Sequence, residues 1–204
     1  MHVRFVTAAL ALLSALTLSA AAQTKTPDAE GYIRDWLVLA PYPLGDVNGF
    51  VAIDEKPLAD EAQPKLATPG ARQRVGDFEL VWIPIATPEF FIDFRDLFPI
   101  EGDRGVAWAV AYVTSPTAKS DLTLKMNSND QGKAYLNGQE VVKFSDARGF
   151  VKEDENPAPN LSLKAGVNVV VLKVVNESGN WQGSIRFVDK AGKPVTDLKI
   201  ATQP

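Results

Sequence analysis

Residues 122–138 read LTLKMNSNDQGKAYLNG. Leu122, Leu124 and Met126 alternate with Thr123 and Lys125, the period-two pattern of a strand with one buried face. Asn127-Ser128-Asn129-Asp130 follows as an Asn/Asp-rich turn, and a second strand carrying Tyr135 ends at Asn137-Gly138. An Asn-Gly pair between alternating apolar residues predicts a type I′ hairpin, because both central positions need positive φ. Glu140–Phe144 supplies the return strand. So short a run of strand, turn, strand and hairpin points to an antiparallel β fold.

The flanking sequence repeats the pattern. Tyr32–Leu39 reads as a first strand that Pro41-Tyr42-Pro43 breaks. Phe78–Ile83 and Phe90–Phe94 alternate apolar and polar residues. Gly105–Val113 places Val106, Trp108, Val110 and Tyr112 on one face and Ala107, Ala109 and Ala111 on the other, with no charge on either. Such a strand is expected to be central and covered on both sides, and its small Ala face lets another layer approach closely. Asn168–Val175 is nearly continuous Val and Leu, a second buried strand. Trp181, Gly183, Ile185 and Phe187 line one face of the next, and Val195–Ile200 closes the chain. About nine short strands without an amphipathic helix predict an all-β fold, a two-sheet antiparallel β-sandwich of jelly-roll type. The expected core includes Trp108, Val110, Leu122, Leu124, Met126, Leu172, Ile185 and Phe187.

Leu44–Arg74 is rich in Pro, Gly, Asp and Lys and has little periodicity. It is expected to wrap the sandwich, the alternative being a mobile functional loop. No internal repeat or low-complexity linker divides the chain, so residues 32–204 form one domain preceded by a flexible stretch, residues 23–31.

Met1–Ala22 has the outline of a secretory leader. Arg4 supplies the positive start, Phe5 to about Leu18 the apolar run, and Ala20-Ala21-Ala22 an A-x-A site that predicts cleavage between Ala22 and Gln23. The run is shorter than the ~20 residues a membrane helix needs, and no cysteine follows it to carry a lipid. The expected location is secreted or periplasmic, without a membrane anchor. Removing residues 1–22 from the 204-residue chain takes one of its 21 basic residues and none of its 25 acidic ones, leaving a mild negative charge. Without a Lys/Arg cluster there is no electrostatic footprint for nucleic acid.

The chain has no cysteine, and its single histidine is His2, inside the leader. A mature chain without either residue is closed to Ser-His-Asp and Cys-His nucleophiles and to His- or Cys-ligated zinc and copper. Carboxylate chemistry, a Ser-Lys pair and an oxygen-ligated metal remain. No cofactor is expected. Asn127, Asn129 and Asp130 are candidate oxygen ligands for calcium, against the favoured alternative of an Asx-type turn whose side chains bond their own backbone.

From Trp108 to Phe187 the chain resembles the galactose-binding-like jelly-roll modules of bacterial secreted proteins, carbohydrate-binding modules among them. The resemblance rests on Asn127-Ser128-Asn129-Asp130-Gln131, Tyr135-Leu136-Asn137-Gly138, Arg148, Gly166-Val167-Asn168 and Trp181-Gln182-Gly183 with Arg186-Phe187. The opening run Ile33–Pro43 resembles the family's entry strand. This likeness implies the sandwich fold and a non-catalytic role.

Tyr135 and Trp181 are candidate stacking surfaces for a pyranose ring, with Arg148 and Asn129 as hydroxyl partners. The alternative is that the tryptophans are core residues. Tyr135 is expected to be exposed, because Lys133 and Asn137 share its face. Glu89, Asp93 and Asp96 surround a Phe-rich strand, and paired carboxylates are what glycoside hydrolysis needs. The leading expectation is a secreted, non-catalytic module that binds a glycan or assists another extracellular protein. A protein-interaction domain without a glycan site comes second, and a carboxylate-dependent glycosidase third.

Overall fold

The computed structural model describes residues 24–65, 67–98 and 103–204. The expected leader, residues 1–22, lies outside the described residues. In chain order, β1 (Asp35–Pro43) leads through a helical turn, α1 (Gly49–Ala52), to β2 (Arg72–Val75), β3 (Phe78–Val81) and β4 (Ile83–Ala86). A short β5 (Ile92–Asp93) and a second helical turn, α2 (Phe94–Leu97), precede β6 (Gly105–Ser115) and β7 (Lys119–Asn129). Then come β8 (Gln131–Leu136), β9 (Gln139–Phe144) and β10 (Asn156–Leu163). The last strands are β11 (Gly166–Asn176), β12 (Gln182–Val188) and β13 (Lys199–Ala201).

The ladders among these strands are antiparallel. One sheet runs β4-β1-β6-β11-β8-β9 with β13 also on β6; the other runs β10-β7-β12-β5; β2 and β3 form a separate ribbon. This is the expected two-sheet antiparallel sandwich. In the decisive stretch the chain changes sheets. β7 belongs to the smaller sheet and β8 to the larger, so the expected Asn/Asp turn contracts to a corner at Asp130, and Asn127–Asn129 belong to β7. The predicted hairpin is present, with φ of 50° at Asn137 and 84° at Gly138.

Between the sheets, Trp36, Ala109, Ala111, Leu172 and Val174 face Leu124, Met126, Ile185, Phe187 and Trp181 in one continuous core. A Cβ on Gly183 would lie 2.9 Å from Val174 Cγ2, so β12 and β11 meet at a spacing that only glycine allows. The other face of the larger sheet is equally apolar. Leu37, Leu39, Trp108, Val110, Tyr135, Val171 and Val175 are covered there by Leu44, Ile53, Leu58, Ala67, Val75 and Trp82. The aperiodic segment therefore wraps the sandwich and forms a third layer, in which the helical turn α1 and the β2–β3 ribbon are the regular pieces.

Charges as well as apolar contacts hold this layer. Across β11, β8 and β9, Lys173 pairs with Lys133 and Lys133 with Lys143, placing three lysines side by side. Like charges directly opposite one another destabilise a sheet. The wrapping segment supplies the counter-charges. Asp54 accepts from Lys133 at 2.7 Å and from Lys143 at 2.8 Å, while buried Glu61 lies 3.3 Å from Lys173. The Lys173 ammonium also donates to the carbonyls of Ala52, Ile53 and Glu55 at 2.5–3.2 Å. Burial pushes its pKa down, and Glu61 opposes that shift.

Several expectations need correction. β1 does not stop at Pro41-Tyr42-Pro43; it continues to Pro43 through a register shift between Leu39 and Tyr42. The prolines are tolerated because β4 pairs only as far as Val38, which leaves their side of β1 without a partner strand. Residues 23–31 are not all loose, since Lys25 exchanges both backbone hydrogen bonds with Ile200 at 2.7–2.8 Å. Phe78–Ile83 is divided at Trp82 between β3 and β4, which belong to different sheets. The strand expected over Phe90–Phe94 shrinks to β5, because Asp93 caps α2 by accepting from Asp96 N at 3.2 Å.

The lysine row makes its own test. Lys173→Met leaves Glu61 buried without its cation and is expected to cost about 3–5 kcal/mol in urea melts, whereas Lys173→Met combined with Glu61→Gln, uncharged and still an acceptor for Tyr135, recovers part of that loss. The acid limb tests Asp54, whose carboxyl the hydrogen bonds from Lys133 and Lys143 pull down from 3.8 to about 2. Between those values the unfolded chain binds the extra proton, so this contribution is complete above the upper value and lost as pH falls towards the lower. Urea midpoints measured through that window should fall less steeply in Asp54→Asn than in the parent.

Candidate functional site

The four residues expected to build a sugar platform occupy different places. Tyr135 lies on the outer face of the larger sheet, 2 % exposed, and donates its hydroxyl to Glu61 Oε1 at 2.5 Å. Trp108 Nε1 donates to the other oxygen of the same carboxylate at 3.1 Å. Burial, and then the Glu61 carboxylate, raise the Tyr135 pKa. The expectation that Tyr135 is exposed is therefore corrected: the wrapping segment covers its face, and neighbouring Lys133 is buried with it.

Trp181 lies in the other core, 1 % exposed, with its ring 5.5 Å from that of Phe94. Neither aromatic offers a stacking face. Arg148 is half-buried. It donates to Ser128 O at 2.9 Å and Asp154 O at 3.0 Å and stacks on Phe144 at 3.9 Å, so it clamps the β7–β8 corner. Asn129 pairs with Gln182 between β7 and β12 and is 8 % exposed.

The calcium candidates are largely committed to backbone. Asn127 donates to Val151 O at 2.6 Å and accepts from Ser128 N at 2.9 Å. Asp130 accepts from Glu177 N at 2.9 Å. These are the local side-chain-to-backbone bonds that Asn and Asp favour at chain reversals. Among the described residues, no group of three or more His, Cys, Asp or Glu side chains is arranged to hold a metal ion.

Accessible aromatic surface lies elsewhere, at the β5 edge of the smaller sheet. Phe90, Phe91 and Phe150 are half-buried and meet with ring centroids 5.1–5.9 Å apart. Lys152 Nζ lies 4.7 Å from the Phe90 ring and pairs with Glu30 at 2.8 Å. The loop carrying the first two rings is shaped by Thr87, whose hydroxyl donates to Phe91 O at 2.6 Å and accepts from Glu89 N at 3.2 Å.

Beside Phe91 opens a cleft of about 300 Å³, lined also by Thr87, Glu89, Asp93, Asp96 and Leu97. Its volume is at the lower end of the range of small-ligand sites, and an aromatic wall facing several polar groups is their usual composition. Asp93 is committed on both oxygens, one to Asp96 N and the other to Gln182 Nε2 at 3.0 Å. Glu89 and Asp96 are exposed. Two wider hollows of about 530 Å³ each lie beside the Asn137-Gly138 turn and beside the Lys119–Asp197 ion pair. Tyr112, which lines the first, is buried and donates to Ala67 O.

Sequence reasoning named Phe90, Glu89, Asp93 and Asp96 but read them as one strand and its outer face. It passed over Phe91 and Phe150. A double Phe at a strand entrance that leaves one ring off the buried face was the available signal for Phe91. Phe150, within an irregular loop, carried none.

The sequence matches no established protein-family profile, and no curated protein matches it. Solved structures similar to it include the PA14 domain of the MpAFP antifreeze protein, at 11% identity and TM-score 0.46 over 89% of this chain and 96% of that one. A PA14 sugar-binding domain from an RTX adhesin is similar at 13% identity and TM-score 0.37, over 47% of this chain and 52% of that one. The β-glucuronidase of Ruminococcus gnavus is similar at 17% identity and TM-score 0.44, over 71% of this chain and 21% of that one. The chain thus spans about half of the adhesin domain and about a fifth of the enzyme. These neighbours are described as PA14 domains and a glycosidase; the galactose-binding-like family is not singled out among them.

Proposed function

We propose that this chain is a non-catalytic, extracytoplasmic module that binds carbohydrate through the Phe91 cleft. The observation that carries this reading is the cleft itself: a half-buried aromatic ring, Phe91, lining one hollow with the exposed carboxylates of Glu89 and Asp96. Aromatic faces take up the apolar C–H side of a sugar ring, and carboxylates accept from its hydroxyls. The leader-like residues 1–22 support export. Asp93, with both oxygens committed, is badly placed to move protons, which supports binding over hydrolysis.

A second reading, a protein-interaction domain without a glycan site, is favoured by exposed apolar residues on the wrapping layer. Phe50 is 62 % exposed and Phe78 47 %.

The test is a glycan array followed by calorimetry on the mature chain. Phe91→Ala should weaken sugar binding at least tenfold, about 1.4 kcal/mol, while Phe91→Tyr retains it. Tyr135→Phe should leave binding unchanged. Because Phe91 is half-buried, Phe91→Ala should cost less stability than the roughly 3–5 kcal/mol of truncating a fully buried aromatic. An array without a hit, or affinity lost in Tyr135→Phe and kept in Phe91→Ala, would reject the cleft.

A further inference from the structure

The two sheets have outer faces of opposite character, and both are covered. The wrapping segment lies on the larger sheet over Leu, Val and Trp side chains. The part of the smaller sheet around Asn127 is crossed by residues 145–155, the irregular connection from β9 to β10, and what lies beneath it is polar. Asn127 and Ser184 are cross-strand partners on that face, 1 % and 2 % exposed. The Ser184 hydroxyl has no hydrogen-bond partner among the described residues. A buried hydroxyl without a partner is costly, roughly 1–3 kcal/mol, and asks what it is there to meet.

The covering segment crosses directly over this pair. At one side Asn127 on β7 donates to Val151 O, and at the other the Phe150 ring rests on Phe90 and Phe91, which precede β5. β12, with Ser184, runs between β7 and β5. The remaining ties are polar: Arg148 to Ser128 O, Lys152 to Glu30, and Glu155 to Arg186. Val151 itself is 53 % exposed. A segment held by a few hydrogen bonds and a half-buried ring opens more readily than one anchored in a core.

We propose that residues 145–154 are a lid, and that the polar pair Asn127 and Ser184 beneath it extends the Phe91 cleft into a subsite for a neutral, polyhydroxylated ligand. This inference rests on the carbohydrate reading above. Neutrality follows from the surroundings. The cations of this face stay matched when the lid lifts, because Glu155, at the entrance to β10 and outside the lid, takes Arg186 through two bonds of 2.6–2.7 Å and Lys125 at 3.4 Å. With the lid lifted, the face offers the Asn127 amide N–H, released from Val151 O, and the Ser184 hydroxyl, which donates to and accepts from sugar hydroxyls. Phe150, in the lid, rests against Phe91 of the cleft, so lifting the lid uncovers the subsite and one side of the aromatic cluster together.

The natural absence of cysteine makes a direct test possible. Ser184→Cys places one thiol under the lid, and Val113→Cys places one in the core between the sheets, where Val113 is fully buried. In native buffer, iodoacetamide should label Ser184→Cys at least tenfold faster than Val113→Cys. Adding Phe150→Ala should accelerate it further. Equal protection of the two thiols would overturn the lid without involving any sugar. Millimolar cellohexaose, xylohexaose and maltohexaose, tried singly, form the second arm. Slowing of Ser184→Cys labelling by at least one, with Val113→Cys unaffected, supports the subsite. A sugar that binds through Phe91 without slowing the label would overturn the subsite and leave the Phe91 reading intact.

Discussion

Three adjacent lysines on one face of a sheet need acidic partners, and this need governs much of the molecule. Lys173, Lys133 and Lys143 stand in register across β11, β8 and β9. Their carboxylates, Asp54 and Glu61, come from a segment with almost no regular structure of its own. Removing either partner of a buried pair leaves an uncompensated charge. The wrapping layer and the larger sheet are therefore mutually required, over and above the apolar contacts around Trp108. The sheet's outer face is apolar in its central strands and cationic towards the β9 edge, and one stretch of chain answers both demands.

That layer also decides which aromatic side chains stay accessible. It places Tyr135 and Trp108 on the two oxygens of Glu61 and makes a buried hydrogen-bonded network of residues that on an open sheet would form an aromatic surface. Accessible aromatic surface lies instead at the edge of the smaller sheet. Its cover is polar and light, and Phe90, Phe91 and Phe150 keep part of their surface in solvent. The cover over one sheet is core-like and the cover over part of the other is held by hydrogen bonds.

How much of this was legible in the sequence depended on periodicity. Gly105–Val113, without a charge on either face, announced a central strand covered on both sides, and Asn137-Gly138 announced its hairpin. Both readings rest on local rules that tertiary structure had no reason to override. Leu44, Ile53, Leu58, Ala67 and Val75, at irregular spacings, made the wrapping segment recognisable as a cover but not the face it covers. Since that face carries Tyr135, the error in its exposure follows directly. β10 escaped because Pro157 and Pro159 argue against a strand, yet it lies at a sheet edge, where a missing N–H costs no ladder bond. The corner at Asp130 was read as a wider turn because Asn127 and Asn129 have turn chemistry in any setting. Only the crossing between sheets turns them into strand residues.

The distribution of carboxylates carries the argument for binding over catalysis. With no cysteine and no histidine beyond His2, proton transfer would fall chiefly to Asp and Glu. Glu61 is held by Tyr135, Trp108 and Lys173. Glu155 is held by Arg186, Lys125 and Tyr32. Asp54 is held by two lysines, and Asp93 by a backbone amide and Gln182. Each of these acids joins one layer or strand to another. Glu89 and Asp96 remain open to solvent beside Phe91. An exposed carboxylate beside an aromatic ring accepts hydrogen bonds from a hydroxylated ligand as it stands, with no need of the shifted pKa that general acid catalysis would demand.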